Sequence, residues 1–386
     1  MPTQKSIKKS SFCLAMISNQ AFSIINFRGP LLMEMVKRGC TVYALAPDFN
    51  DDSRAAVIAL GATPVDYSMS RAGMNPVRDM LDLFRLAFLL RQLKPDASFT
   101  YFIKPVIYGT LAARLAGVPK RYAMIEGAGY VFIEEKTSNW RRKLLRMFAT
   151  GLYRLGLSQA DRVFMLNADD KELFVSEKMV GAEKVQLLNG IGLDLNHYCM
   201  TAPNSQPFTF ILVARLLREK GIYEYVEAAR TVKATHPDIR FILLGSIDLN
   251  PGSVDEETVH EWVAEGIIEW PGQVADVREW IAKASVFVLP SYREGLPRST
   301  QEAMAMGRPI ITTDVPGCRD TVHDGVNGYM VPARDAATLA HAMLKLIKYP
   351  DLLAPMGERG RQMAEEKFDV HKINAVILHA MNIPQK

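Results

Sequence analysis

Two glutamates that stand eight residues apart are the residues of this chain whose types and spacing point most directly to chemistry. Glu294 follows an apolar run, residues 286–289, that is typical of a buried strand, and Glu302 lies about one turn into a predicted helix, Ser299–Met306. Between them, Gly295-Leu296-Pro297 breaks the strand, and the proline suits a first helical position. Free N–H groups at such a helix start attract phosphate. Carboxylates beside them suit the hydroxyls that flank a phosphate on a ribose or a hexose.

Two cations follow another predicted strand, in the segment Arg215-Leu216-Leu217-Arg218-Glu219-Lys220-Gly221. A positive charge at the start of a helix opposes the helix dipole. The interpretation of these cations as ordinary solvated residues therefore does not explain their position. Arg215 offers a planar fork for phosphate oxygens, and Lys220 adds a compact point charge. Fixed cations of this kind can stabilise the charge that develops on a diphosphate leaving group.

These two segments resemble the Glu-x7-Glu and Arg-Leu-x-x-x-Lys-Gly elements of the retaining glycosyltransferases of family 4, which have the GT-B fold. The likeness extends to the surroundings, because Glu-Ala-Met-Ala-x-Gly-x-Pro-Ile-Ile begins at the second glutamate. The resemblance implies that the donor is a UDP-sugar. It further implies that the following residues bind the donor or act in catalysis: Arg215, Lys220, Glu294, Gly295, Leu296, Pro297 and Glu302.

Two further loops are expected to hold the nucleotide base. Gly245 follows the predicted strand Arg240–Leu244, and Val274 lies just after the predicted strand Ile267–Glu269. Glycine allows the backbone to approach a ligand closely. No Asp-x-Asp motif stands in a suitable loop, so Arg215 and Lys220 are expected to replace a metal ion. We therefore expect no metal site and no cofactor other than the UDP-sugar co-substrate.

The first half of the chain carries two candidate acceptor loops. Residues 101–109 read Tyr-Phe-Ile-Lys-Pro-Val-Ile-Tyr-Gly, and residues 126–130 read Glu-Gly-Ala-Gly-Tyr. Both resemble elements of bacterial polysaccharide enzymes of this family that build surface glycans on polyprenyl diphosphate. The resemblance implies that Lys104, Glu126 and Tyr130 bind the acceptor. Glu126 departs from the small or hydroxyl residue expected there. It either orients the acceptor hydroxyl, as a catalytic residue, or is a capping or salt-bridged glutamate.

A chain of 386 residues predicts two or three domains. Strands and helices alternate, which favours doubly wound α/β sheets with ligands beyond the carboxyl ends of the strands. The predicted strands are Phe12–Ile17, Thr41–Leu45, Ala97–Phe102, Arg121–Ile125, Arg162–Leu166, Thr209–Val213, Arg240–Leu244, Ile267–Glu269, Val286–Leu289 and Ile310–Thr312. The predicted helices include Pro30–Arg38, Pro76–Leu93, Val106–Ala116, Ile222–Thr235, Asp255–Glu265, Ala275–Ala284, Ala337–Lys345 and Val370–Met381.

The resemblance implies the GT-B arrangement of two Rossmann-like domains that face a central cleft. We expect an acceptor-binding domain over residues 1–198 and a nucleotide-sugar-binding domain over residues 207–369. Residues 198–207 have two prolines and no sustained apolar pattern, which is typical of a linker. By analogy with the family, the C-terminal helix, residues 370–386, packs back on the first domain.

The net charge of +4 conceals an asymmetry. Residues 1–200 carry 26 Lys and Arg against 18 Asp and Glu, whereas the remainder carries 20 against 24. A basic half suggests an anionic partner. Residues 139–157 form a basic amphipathic segment with Trp140, Arg141, Arg142, Lys143 and Arg146, which suits an anionic membrane surface. An ordinary surface helix with a core stripe is the alternative. No zinc finger or aromatic RNA-binding motif supports nucleic acid as a partner.

No apolar run reaches the length of about 18 residues that a spanning helix needs, and the run from Phe12 to Ile17 is too short for a signal peptide. Four cysteines without metal or pairing spacing fit a reducing cytoplasm. We therefore expect a cytoplasmic protein, peripheral at the inner face of the cytoplasmic membrane.

The sequence predicts a retaining glycosyltransferase that moves a hexose or N-acetylhexosamine from a UDP-sugar to a polyprenyl-diphosphate-linked saccharide, in the assembly of O-antigen, capsule or a related glycan. Two alternatives stay open. One is a UDP-N-acetylhexosamine 2-epimerase of the same fold, and the other is a non-catalytic GT-B partner subunit. A Rossmann dehydrogenase is disfavoured, because no Gly-x-Gly-x-x-Gly follows a strand.

Overall fold

The computed structural model describes residues 12–70, 75–133, 140–248, 250 and 252–383. These residues form two units. The first runs to Ile191 and takes in the residues from Asn374 onward, and the second is Gly192–Ile373. Each unit is built around one parallel β-sheet.

The first unit has seven strands in the order β3-β2-β1-β4-β5-β6-β7. They are β1 (Cys13–Ile17), β2 (Thr41–Ala46), β3 (Thr63–Asp66), β4 (Ala97–Tyr101), β5 (Lys120–Ile125), β6 (Arg162–Met165) and β7 (Val185–Leu187). Its helices are α1 (Ala21–Lys37), α2 (Asp51–Ala59), α3 (Pro76–Leu93), α4 (Thr110–Ala116), α5 (Trp140–Ser158) and α6 (Ala168–Ser176), and a π-helical turn, Pro105–Gly109, leads into α4. Because parallel crossovers are right-handed, α1 and α2 lie on one face of this sheet and α3 to α6 on the other.

The second unit has six strands in the order β10-β9-β8-β11-β12-β13. They are β8 (Thr209–Val213), β9 (Arg240–Leu244), β10 (Glu269–Gly272), β11 (Val286–Leu289), β12 (Ile310–Thr313) and β13 (Gly328–Val331). Its helices are α7 (Ile222–Lys233), α8 (Glu256–Ala264), α9 (Arg278–Lys283), α10 (Arg298–Ala305), α11 (Ala336–Lys348) and α12 (Leu353–Lys367). The last helix, α13 (Val370–Ala380), spans the division between the units.

Both sheets have a point at which the strand order reverses. It lies between β1 and β4 in the first unit and between β8 and β11 in the second. At such a point the loops that leave two neighbouring strands diverge to opposite faces, which opens a crevice at the carboxyl edge of the sheet. The candidate site residues follow these central strands and their neighbours.

Four predicted elements differ clearly from the structure. The predicted helix Val106–Ala116 begins with a π-helical turn, and the predicted helix Ala275–Ala284 is shorter, Arg278–Lys283. Helix α1 begins at Ala21 and not at Pro30, because a buried stripe with Ile24 and Leu31 continues on both sides of the proline. Strand β10 is Glu269–Gly272 and not Ile267–Glu269, since Gly272 supplies the carbonyl that pairs with the end of β9. Three short strands escaped prediction, because none shows a clear period: β3, β7 and β13.

The segment expected to be a linker belongs to the second unit. Its Thr201 N–H donates to the Met306 carbonyl at 3.2 Å, and the fully buried Arg308 donates to the Thr201 hydroxyl at 2.7 Å and to the Ala284 carbonyl at 2.8 Å. Burial lowers the pKa of Arg308 to about 10, but the group stays charged at neutral pH. The boundary therefore lies at Ile191 and Gly192, before the residues at which composition alone placed it.

We predict that Arg308→Met lowers the free energy of unfolding of the second unit by about 3 kcal/mol, because several buried acceptors lose a charged donor. Urea unfolding followed by tryptophan fluorescence measures this, since Trp262, Trp270 and Trp280 all lie in that unit. Arg230→Met, at an exposed ion pair with Glu265, is the matched control. An unchanged midpoint for Arg308→Met would show that the segment is not held by this side chain.

Candidate functional site

Lys220 and Glu294 come together at the reversal point of the second sheet. They follow β8 and β11, which are neighbours, and the Lys220 ammonium lies 2.5 Å from Glu294 Oε1. The Ser291 hydroxyl donates to the same carboxylate oxygen at 2.7 Å. Gly221 has a φ of +73°, and a Cβ there would overlap the Pro290 carbonyl, so glycine is needed for the two loops to approach. The contact between Lys220 and Glu294, which the sequence did not predict, thus depends on the backbone conformation at Gly221.

Glu302 lies on α10 and is buried in a second network. Its Oε1 accepts a hydrogen bond from the Tyr198 hydroxyl at 2.8 Å and from Arg298 Nε at 2.9 Å. Burial, aided by the charge of Glu302, raises the pKa of Tyr198 well above its usual value, so the phenol stays neutral and donates. Two partners thus fix the carboxylate.

The loop between the two glutamates is packed against its neighbours. Gly295, Leu296 and Pro297 are all buried, and the Glu294 N–H donates to the Pro316 carbonyl at 3.0 Å. Helix α10 starts at Arg298, so Pro297 is its N-cap and not its first helical residue, a shift of one position from the prediction. The backbone that would meet a donor is therefore rigidly supported.

Arg215 lies at the same sheet edge with a different partner. Its guanidinium is half exposed, with Nη1 2.8 Å from Asp248 Oδ2 in the loop after β9. Gly245 begins that loop with a φ of +146°, and a Cβ there would overlap the Ala214 carbonyl. Its N–H donates to the Gly272 carbonyl at 3.0 Å. Gly245 therefore draws the ends of β8, β9 and β10 together, and the half-buried Val274 follows β10 at this edge.

Glu126 forms an ion pair with Arg28, which donates from α1. Arg28 is 1% exposed and Glu126 16%, so the pair is almost enclosed. The guanidinium also lies 4.7 Å from the ring centroid of Tyr101 and donates to Met124 Sδ at 2.9 Å. Burial raises the pKa of Tyr101 to about 12, so the phenol is neutral. Glu126 is thus salt-bridged. Part of its side chain is still exposed, so its contact with the acceptor stays a prediction.

Lys104 is also paired within the first unit. Its ammonium lies 2.7 Å from Asp79 Oδ1 and 2.7 Å from the Ser70 hydroxyl. Asp79 is buried on α3, so much of the lysine charge is already balanced. A contact with an acceptor phosphate stays a prediction. Tyr130 begins a short helical turn, but its side chain lies outside the described part of the chain.

Six residues that contact the predicted site residues lie outside the recognised motifs: Arg28, Ser70, Asp79, Tyr198, Asp248 and Ser291. Arg28 does leave a trace in the sequence, because it is the one charged residue between Gln20 and Met33. A lone cation in an apolar helix needs a buried counter-charge. Tyr198 leaves no trace, since its partner Glu302 is distant in sequence.

Comparison with known proteins settles the class of the second unit. Residues 207–349 match the family model described as Glycosyl transferases group 1. The second unit is a glycosyl transferase group 1 domain. Its Arg215, Lys220, Glu294 and Glu302 all lie within the matched residues.

Two bacterial sugar transferases are among the proteins to which the chain is similar. The chain is 26% identical over 364 residues to the N,N'-diacetylbacillosaminyl-diphospho-undecaprenol alpha-1,3-N-acetylgalactosaminyltransferase of Campylobacter jejuni, covering 91% of this chain and 93% of the relative. It is 26% identical over 285 residues to the UDP-Gal:alpha-D-GlcNAc-diphosphoundecaprenol alpha-1,3-galactosyltransferase of Escherichia coli, covering 70% and 71% of the two chains.

Solved structures confirm the predicted fold class. HepE of Anabaena, crystallised with UDP and glucose, aligns with a TM-score of 0.74 at 16% identity, over 96% of this chain and 99% of HepE. Sucrose-phosphate synthase of Thermosynechococcus elongatus aligns with a TM-score of 0.76 at 18% identity, over 96% and 98%. The two doubly wound units therefore have the GT-B fold.

We predict that Arg28 and Glu126 are energetically coupled in the folded first unit, and a double-mutant cycle measures this coupling. Arg28→Met should cost about 3–5 kcal/mol of unfolding free energy, because it removes the buried counter-charge that lies against Glu126. Adding Glu126→Gln should restore much of this loss. Thermal unfolding of the parent, both single variants and the double variant measures the coupling. If the two losses simply add, the contact does not carry the stability assigned to it.

Proposed function

We propose that this chain is a retaining glycosyltransferase that moves a hexose or N-acetylhexosamine from a UDP-sugar to a polyprenyl-diphosphate-linked saccharide. The observation that carries the proposal is the Lys220–Glu294 pair at the reversal point of a glycosyl transferase group 1 domain. The relatives support the lipid-linked acceptor, because two of them are named for diphospho-undecaprenol acceptors. HepE, solved with UDP and glucose, supports the UDP-sugar donor.

On the donor side, Lys220 and Arg215 would meet the diphosphate. Lys220 has three N–H bonds, so it can keep Glu294 while it donates to a phosphate oxygen. Arg215 is half exposed, and its planar fork can turn from Asp248 to the diphosphate. These two cations would supply the charge stabilisation that a metal ion supplies elsewhere. No three His, Cys, Asp or Glu side chains of the described residues cluster in a way that could hold a metal ion.

The transfer step needs no protein nucleophile. The bond between the anomeric carbon and the leaving phosphate oxygen breaks, and the acceptor oxygen forms its bond on the same face of the sugar. The acceptor proton passes to the departing phosphate oxygen. Charge then builds on the diphosphate, where Arg215 and Lys220 stabilise it, and a positive charge builds on the ring, where Glu294 favours it.

On the acceptor side, Glu126 would hold the attacking hydroxyl, and the resemblance to polysaccharide enzymes supports Lys104 and Tyr130 as further acceptor-binding residues. Arg28 keeps the Glu126 carboxylate in one orientation. The double variant Arg28→Met with Glu126→Gln separates this role from a structural one. A folded double variant that retains full transfer would leave Glu126 a structural residue.

The membrane is the proposed site of this acceptor. Helix α5 exposes Trp140, Leu144, Met147 and Phe148 and carries no acidic residue along its length, all of which is described. Arg142 donates to the Ile133 carbonyl, and Arg146 pairs with Glu177. Arg141 and Lys143 are exposed, and their exposure suits contact with anionic lipid. No described helix has the length and apolar character needed to cross a membrane.

The two alternative functions make different demands. A 2-epimerase would convert a UDP-N-acetylhexosamine with no acceptor present, so incubation with the nucleotide sugar alone tests for it. A non-catalytic partner subunit has no need to keep Arg215, Lys220, Glu294 and Glu302 together, yet this chain has all four. Neither alternative accounts for the basic, apolar surface of α5.

We predict that Arg215→Ala and Lys220→Ala each reduce turnover by about 10²–10³, the scale for loss of one charge-stabilising donor. Steady-state transfer to a lipid-linked acceptor measures this, with Arg230→Ala as the control for an exposed arginine of the same unit. EDTA should leave most of the parent activity. A strict, reversible requirement for Mg²⁺ or Mn²⁺, or normal turnover in both variants, would remove the assignment.

We predict that the two glutamates differ in role. Glu302→Gln should weaken UDP binding and raise KM more than it lowers kcat, because a ribose contact exists in both the ground state and the transition state. Glu294→Gln should lower kcat and leave UDP affinity nearly unchanged, because its charge matters as the sugar becomes cationic. The amide oxygen of glutamine can still accept from Lys220 and Ser291, so the loop should keep its shape.

Calorimetric UDP binding beside steady-state kinetics distinguishes these two roles. Glu265→Gln, at an exposed ion pair of the second unit, controls for a change of one charge. Loss of UDP binding in Glu294→Gln alone would show that the two roles are reversed. Unimpaired kinetics in both variants would remove the proposed function.

A further inference from the structure

Helix α3 is apolar on both of its faces. Its inner face contributes Leu83, Leu86, Ala87 and Leu90 to the core of the first unit. Its outer face exposes Val77, Met80, Leu81, Phe84 and Phe88. At 3.6 residues per turn these five positions form one continuous stripe along a helix of about 27 Å. Phe84 is 58% exposed and Phe88 65%, so more than half of each aromatic residue is open to solvent.

The charges of α3 are arranged in the opposite sense to those of an ordinary surface helix. Its acids, Asp79 and Asp82, are both buried, whereas Arg78, Arg85 and Arg91 are exposed. Asp79 pairs with Lys104, and Asp82 lies 3.6 Å from Arg85 and 3.9 Å from Arg78. Every residue of α3 is described, and none of its acids reaches the surface. The outer face is therefore both apolar and positive.

Helix α5 repeats this pattern on the same face of the first sheet. Helix α3 packs on α4, where Arg91 donates to the Leu115 carbonyl at 3.0 Å. Helix α5 packs on the π-helical turn that precedes α4, so closely that a Cβ at Gly156 would lie 2.8 Å from Ile107 Cα. The apolar stripes of α3 and α5 thus belong to one layer of helices, although they lie in separate parts of the sequence.

We propose that α3 docks on an anionic bilayer, with its apolar stripe in the interfacial region and its arginines at the lipid phosphates. This inference rests on the proposed membrane-bound acceptor and adds a second, more apolar contact beside α5. Apolar side chains flanked by arginines, with no exposed acid, match the boundary between acyl chains and anionic headgroups.

A second copy of the chain suits this face less well. Two α3 helices packed face to face would place arginines against arginines, and neither α3 nor α5 exposes an acid that could balance them. A bilayer satisfies the stripe and the cations together. The charge pattern therefore favours anionic lipid over a second copy of the chain as the partner of this surface.

The first test is vesicle sedimentation with the double variant Phe84→Ser and Phe88→Ser. On vesicles of phosphatidylglycerol and phosphatidylcholine in equal parts, binding should weaken about tenfold for each aromatic ring that no longer enters the lipid. Ile58→Ser is the matched control, since Ile58 is 61% exposed but lies on α2. Circular dichroism and thermal unfolding establish that the variants are folded. Parent-like sedimentation of the folded double variant would overturn the proposal.

Salt separates the contribution of α3 from that of α5. Arg141→Gln with Lys143→Gln should weaken binding mainly at low ionic strength, because surface attraction is screened at high salt. The loss caused by Phe84→Ser and Phe88→Ser should persist at high salt, because apolar burial is not screened. If high salt abolishes the difference between the double variant and the parent, α3 does not insert.

The second test measures an increase in fluorescence quenching, so it does not depend on a loss of vesicle binding. Phe88→Trp should show stronger fluorescence quenching by brominated lipid than the parent, whereas Ile58→Trp should match the parent. Equal quenching in all three proteins would contradict insertion of α3. Light scattering identifies the other occupant, since a parent dimer that Phe84→Ser and Phe88→Ser convert to a monomer would assign the face to a second copy.

Transfer to a water-soluble acceptor analogue keeps this inference separate from the proposed function. The α3 substitutions lie outside the catalytic and binding residues, so they should leave that rate unchanged. Vesicle binding without any transfer activity would remove the proposed function and leave the lipid contact standing. Normal transfer with no contribution from α3 to vesicle binding would remove the lipid contact and leave the proposed function standing.

Discussion

The reversal of strand order between β8 and β11 is the constraint on which the candidate site depends. It sends the loops after two adjacent strands to opposite faces, so charged side chains can meet at one edge without filling it. Lys220 and Glu294 meet there because Gly221 lets the first loop pass against the Pro290 carbonyl. Gly245 does the same for the loops after β8 and β9. The backbone thus sets the geometry before any ligand arrives.

The Lys220–Glu294 pair suits function better than stability. Two mostly buried charges lose hydration that their mutual attraction regains only in part. An apolar pair of similar size would cost less, so the pair fits the proposed role in binding an anionic donor better than a role in stability. An anionic donor would find a cation already desolvated and oriented, and the neighbouring carboxylate would stay balanced while the site is empty. This is the preorganisation that charge stabilisation in catalysis requires.

Local chemistry could be predicted from the sequence, whereas long-range partners could not. The bounds of β8, β9, β11 and α3 match the expectation, because buried apolar runs and the Asn75-Pro76 start are local signals. The predicted start of helix α1 was wrong, because proline often begins a helix but Pro30 lies inside this one. The Arg28–Glu126 and Tyr198–Glu302 contacts join residues about a hundred positions apart. No spacing rule reaches that far, and only the fold reveals what holds each carboxylate.

Helix α3 shows a further limit of periodicity. An apolar period predicts one buried face, but α3 has a second apolar face that the sheet cannot cover. In water such a face is costly unless something else removes it from the solvent. The buried positions of Asp79 and Asp82 leave the arginines outside, so the surroundings that suit this face are apolar and anionic at once. Water is neither apolar nor anionic, whereas the interface of an anionic bilayer is both. The burial of apolar surface that stabilises the core of this unit would therefore also stabilise the outer face of α3 at such an interface.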